Sequence, residues 1–152
     1  MVKSCLFPYG YTLEQMGRVK TFPAAEVLFR TAAGEWAPTF LLIDSGAAIS
    51  ALPKSDAALL GVELKSGEPA MVRGFSGKPL HGWRHQVNIR LKDNDLKIPI
   101  VFANSNSAPR VLGRDGVFGQ FTIVLEESQH RSAFLGVDTP EAKAVRSVLD
   151  QF

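Results

Sequence analysis

The chain has 152 residues, 45% of them hydrophobic and 21% charged, the balance of one globular domain with a core of its own. Its 17 basic and 15 acidic side chains leave a net charge of +2, too little to imply nucleic acid or an acidic membrane surface as a partner. A single cysteine, Cys5, excludes an intramolecular disulfide, and no apolar run is long enough to span a bilayer.

The N-terminal stretch "MVKSCLFPYGYTLEQ" has no apolar signal core, because Pro8, Gly10 and Glu14 interrupt it; with the lone thiol, this points to a reducing cytoplasm. Residues 1–23 carry little periodicity and read as an arm or an edge strand. "AEVLFRTAAGEWAPTFLLID" reads as two strands joined at Ala33 and Gly34, the second ending at Asp44. "LPKSDAALLGVEL" reads as a short helix started at Pro53 or Ser55 and stopped at Gly61. In "MVRGFSGKPLHGWRHQVNIRL" Gly74 and Gly77 bracket a turn. Beyond it Trp83, His85, Val87, Ile89 and Leu91 alternate with polar residues, the period of a strand. After a turn at "KDND", Leu96, Ile98, Ile100 and Phe102 alternate again and form its hairpin partner, with Pro99 marking an edge or a bulge. A short apolar strand, a glycine-punctuated helical turn and two more strands follow. The tail "DTPEAKAVRSVLDQF" reads as a helix capped by Thr139 or Asp138, with Pro140 in its first turn and Val145, Val148, Leu149 and Phe152 on one face. Many short strands with few helices predict a mostly β domain built as a small barrel, followed by a C-terminal helix over 138–152.

The chemistry concentrates at "TFLLIDSGAAIS". Phe40 to Ile43 drive a carboxylate, Asp44, to the end of a buried strand, and Gly46 lets the backbone turn and bring its N–H to that carboxylate. The Ser45 hydroxyl is suited to bond a neighbouring backbone group, and Ala47 leaves room above the carboxylate. A lone buried carboxylate prefers to stay protonated, whereas two held together share one proton. Such a pair supplies both a base for water and an acid for a carbonyl. The chain has one Asp-Ser-Gly, so the second carboxylate must come from a second copy across a two-fold axis.

"LLIDSGA" resembles the active-site loop of retropepsin-like aspartic proteases, the cellular and bacterial relatives of retroviral proteases. "RVLGRDG", about seventy residues later, is similar to the family's second signature of two apolar residues, glycine and arginine, and "VRGFSGKP" stands between them in the place of the flap. The resemblance covers about 24–137. It implies a closed acid-protease barrel with one half-site per chain, a homodimer, a peptide or protein substrate, and no cofactor or metal. By resemblance Asp44 is the catalytic carboxylate, Ser45 braces the paired loops and Gly46 supports carboxylate and substrate. Ala47, Ala48, Gly74, Phe75, Ser76 and Gly77 line or close the substrate site, while Leu112, Gly113 and Arg114 support the loop. Viral members commonly carry an acid where this chain has Ala48, so Arg114 needs another partner. The competing reading is a catalytically weak dimerisation or peptide-binding module of the same fold. His81 and His85 are four apart on a strand without acidic or cysteine companions, and Asp115 reads as a cap of the helical turn.

Overall fold

The structure is a computed structural model that describes residues 1–73 and 77–152. In chain order the strands are β1 (Cys5–Pro8), β2 (Gly10–Leu13), β3 (Val19–Phe22), β4 (Ala24–Arg30), β5 (Trp36–Ile43) and β6 (Ser50–Leu52). Helix α1 (Lys54–Leu59) follows, then β7 (Glu68–Arg73), β8 (Pro79–Leu91), β9 (Asn94–Ala103), β10 (Val111–Leu112), β11 (Phe121–Glu126) and β12 (Arg131–Gly136), and last helix α2 (Pro140–Leu149).

Six strands close into a barrel in the order β4-β5-β10-β6-β9-β8, the ring being completed by β8 pairing back onto β4 at Phe29 opposite Ile89. Most neighbours are antiparallel, as hairpin connections require, but β10 runs parallel to β5 and β6 runs parallel to β9. The long hairpin β8–β9 turns at Lys92 and Asp93, with Lys92 in the left-handed region (φ 52°). Along β9, pairing with β6 begins only at Ile100, so Pro99 stands where that side of the strand has no ladder to interrupt. The barrel is filled by Val27, Phe29, Leu41, Ile89, Ile98 and Leu112, all buried.

A second sheet, β1-β12-β11, closes one end of the barrel. Its inner face packs Phe134 edge-on against Phe7 and Phe121, with ring centroids 5.2 and 5.7 Å apart. Phe7 is the only buried residue of β1, which is why the first twenty residues show no period. Asn94 fixes the start of the chain by accepting from the Lys3 N–H (2.7 Å) and donating to the Lys3 carbonyl (2.9 Å).

The helical turn expected after Gly113 is a run of turns with one α-type bond, Phe118 N–H to the Arg114 carbonyl (2.9 Å), re-aimed at Gly116 (φ +77°). Helix α2 has the expected cap, the Thr139 side chain accepting from the Ala142 N–H, and Pro140 opens it. Its packing differs from the pattern. Ala142 is buried and Val145 half-buried, while Val148, Leu149 and Phe152 of the expected apolar face remain exposed. Among the described residues no helix is long and apolar enough to cross a membrane.

Candidate active site

Asp44 stands immediately after β5, where the strand leaves its sheet. Its backbone is held from two sides. The Asp44 N–H donates to the Leu112 carbonyl (3.0 Å) on the β10 side, and the Ile43 N–H donates to the Pro23 carbonyl (3.0 Å) on the other. The chain then turns at once. The Ala47 N–H donates to the Asp44 carbonyl (3.2 Å), closing a four-residue turn, and the Gly46 N–H donates to Asp44 Oδ1 (2.9 Å). That bond fixes one carboxylate oxygen and leaves its remaining lone pairs for another donor.

The segment at Arg114 locks onto the far side of the turn. The Arg114 N–H donates to the Ala47 carbonyl (3.0 Å) and the Asp115 N–H to the Ala48 carbonyl (2.8 Å). Gly113 lies directly beneath: a Cβ placed there would sit 2.4 Å from the Ile49 carbonyl carbon and 2.5 Å from its oxygen. Only glycine lets these two backbones approach so closely. The Gly113 N–H is satisfied by the buried Ser50 hydroxyl (2.9 Å), a polar contact inside an otherwise apolar floor.

The Asp44 loop forms the floor of an open cleft of about 660 Å³. Gly46, Ala47 and Ala48 line it together with Asp44, Met71 to Arg73 of β7 form one wall, and Pro109 and Val111 form the other. Ser45, Leu112, Gly113 and Arg114 do not line the cleft. Leu112 and Gly113 are buried behind it, whereas Ser45 and Arg114 are exposed beside it. Within the single chain Asp44 is half-buried, because its outer side opens to the cleft. Two expectations change in this light. Among the described residues the Ser45 hydroxyl has no hydrogen bond, where one to a neighbouring backbone group was expected, and Arg114 has no ion-pair partner. Asp115 does not cap the turn; it uses its backbone N–H on Ala48. Gly77 is exposed, with φ +72°. Gly74, Phe75 and Ser76, expected at the tip of the flap, lie outside the described residues.

Several contributors escaped the sequence reading. Strand β6, three residues long and wholly buried, has no alternation by which to find it, yet it carries Ser50. Arg110, just before β10, makes a two-pronged ion pair with Asp56 of α1 (2.8 and 2.9 Å), and this pair holds Arg110 above its ordinary pKa. His85 is structural: its Nε2 bonds the Leu64 carbonyl (2.9 Å) and its ring meets Phe102 edge-on. Cys5 is half-buried, and burial pushes its thiol up to about 11, with Lys92 opposing and Asp93 adding to the shift. Among the described residues no three His, Cys, Asp or Glu side chains gather as a metal site would need.

No family model matches the sequence, and no curated protein matches it. The three-dimensional structure does match: a retropepsin-like aspartic protease from Rickettsia conorii superposes with a TM-score of 0.58 over 88% of this chain and 99% of that one, at 14% sequence identity. At that identity the likeness establishes the architecture: this chain has the retropepsin-like fold, a closed β-barrel followed by a C-terminal helix.

Proposed function

We propose that this retropepsin-like chain is one half of an aspartic endopeptidase, completed when two copies bring their Asp44 loops together across a two-fold axis. The observation that carries the reading is the Asp44 turn. A carboxylate with one oxygen fixed by Gly46 stands on a braced floor, in an open cleft of about 660 Å³. One carboxylate alone cannot be base and acid in the same step, and each chain supplies one.

In the dimer a water molecule lies between the two carboxylates, which together hold one proton. The ionised Asp44 takes a proton from the water as its oxygen attacks the peptide carbonyl carbon. The protonated Asp44 of the second copy gives its proton to the carbonyl oxygen, and a neutral tetrahedral diol forms. Return of a proton to the amide nitrogen breaks the C–N bond and releases an amine and a carboxylic acid. Gly46 keeps the carboxylate in the plane this exchange needs. Ala47 and Ala48, having no bulk, leave the substrate backbone close to it. Ser45 and Arg114, exposed beside the cleft, are free to meet the partner's loop.

The test is peptide-library cleavage by the wild-type protein and by Asp44→Asn, with sedimentation on both. Asparagine keeps the shape and loses the exchangeable proton, so cleavage falls by at least about a thousandfold, while the fold and the dimer persist. Substantial cleavage by purified Asp44→Asn rules the assignment out. The wild-type rate follows a bell in pH with its maximum near pH 4 to 6, and its two limits belong to the pair and not to either aspartate. A rate that climbs steadily through pH 8 with the dimer intact excludes the carboxylate-pair chemistry.

A further inference from the structure

Strands β2 and β3 form a sheet of their own, bonded to each other and, among the described residues, to no other strand. The register pairs Tyr11 with Thr21 and Leu13 with Val19, so these four side chains share one face, while Thr12 and Lys20 share the opposite one. Both faces of the ribbon are exposed, Thr12 and Lys20 included, but only one of them is apolar. Tyr11 is 71% exposed, Leu13 73% and Val19 60%, and Met16 at the tip is 94% exposed. A two-stranded ribbon is marginal in water by itself, and one that turns its apolar face outward lacks the contact that would hold it.

The position of this ribbon says what covers it. Pro23 joins β3 to β4, and the Pro23 carbonyl accepts from Ile43, the residue before Asp44. Ala24 stands opposite Leu42. The ribbon is therefore rooted beside the Asp44 loop, at the end of the barrel where Ser45 and Gly46 are exposed. Four-residue strands with a turn reach roughly 15 Å from that root. A second Asp44 within hydrogen-bonding distance of the first brings the partner's surface inside that reach.

We infer that the ribbon of residues 10–22 is a dimerisation arm, and that its Tyr11, Leu13 and Val19 face docks on a second copy of this chain. The inference rests on the two-copy reading above, and it adds a contact outside the carboxylate loops. Each arm buries its apolar face when the site is complete, so assembly of the site and ordering of the arm are one event.

Sedimentation equilibrium on the full chain tests this with the triple variant Tyr11→Ser, Leu13→Ser, Val19→Thr, all at exposed positions. The dimer dissociation constant rises by roughly 100-fold with an unchanged circular dichroism spectrum, and Thr12→Ser with Lys20→Ser on the opposite face leaves it unchanged. Equal constants for wild type and triple variant overturn the arm, as does a wild type that stays monomeric at every concentration. A triple variant that dimerises normally but has a raised KM also overturns it, because the face then holds substrate. Amide exchange of the wild type gives a check independent of the variant: protection of residues 11–13 and 19–21 increases as dimer forms, and no increase overturns the arm. The two readings fail separately. A wild type that dimerises through this face but cleaves no peptide removes the endopeptidase and keeps the arm. An active dimer indifferent to the triple variant does the reverse.

Discussion

The floor of the cleft and the ribbon of residues 10–22 lie next to each other and are built in opposite ways. In the floor, the backbone bonds around Asp44 reach to Pro23 on one side and to the β10 segment on the other, and Gly113 and Ser50 close the space beneath. In the ribbon, the ladder is internal and three large apolar side chains face outward. Under the proposed two-copy reading, the difference separates two requirements of a half-site. The carboxylate must be held in one geometry before anything binds, which demands contacts within the chain. An element proposed to recruit the other half needs unsatisfied surface, which is incompatible with that kind of holding.

The largest effect that sharpens this contrast comes from Gly113→Ala. Its methyl group overlaps the Ile49 carbonyl, where backbone and not a flexible side chain must give way. A loss of about 2–3 kcal/mol is expected, a fall in Tm of roughly 5–10 °C, and cleavage drops beyond what the lost stability explains because β10 is pushed off Asp44. An unchanged Tm would mean the floor is looser than the bonds around it imply. Next comes Arg110→Ala. It strips the partner from Asp56, whose side chain is only 14% exposed, but the guanidinium itself is about half in water. The cost is therefore discounted to about 1 kcal/mol, read as a lower denaturant midpoint with an unchanged slope. The smallest effect requires no mutation. In dilute monomer the amides of Asp44, Arg114 and Asp115 exchange more slowly than those of Thr12 and Lys20, by at least about tenfold. Equal rates would erase the distinction between the two regions.

A pH dependence lies at the other end of the molecule. Thr139, the backbone at its own position and Ser4 hold the Glu141 carboxyl below its ordinary value, and Ser4 sits just ahead of β1. A depressed acid contributes stability that is present above its unfolded pKa and lost as the pH falls through the lower folded value. Acidification thus loosens the tie between the start of the chain and α2. In Glu141→Gln the Tm falls less than in wild type between neutral and acid pH; identical falls would show that this contact contributes nothing.

The parts that the sequence made legible are those with a period or a signature. Strand β8 was readable because exposed residues alternate along a long run, and β9 because Leu96, Ile98, Ile100 and Phe102 recur every second residue although beyond Lys97 both its faces are buried; the turn at Lys92 falls within the polar stretch between them. Asp44 and the Val111–Gly113 motif stood out because a carboxylate and a glycine in apolar runs break the pattern of a buried strand. Strand β6 was hidden because Ser50, Ala51 and Leu52 are all buried and too few to show a period. The partner of Arg110 was hidden because Asp56 lies 54 positions away, and no local rule pairs them. On α2 the helical period was right, but the apolar face it marks is only partly used. Ala142 is buried and Val145 half-buried, which leaves Val148 and Leu149 in water. Periodicity identifies a face without saying whether anything faces it.

The bonds from Leu42 to Arg110 and from Asp44 to Leu112 join segments almost seventy positions apart, with β6, α1 and the β8–β9 hairpin threaded between them. Contacts of that span form late, since the intervening chain must be ordered before closing the loop repays its entropy. During synthesis the Asp44 turn leaves the ribosome early but has nothing beneath it until Leu112 has emerged. A chain interrupted before that point carries the carboxylate without its support. The order of translation therefore leaves an interrupted copy without the braced Asp44 turn on which the proposed activity rests.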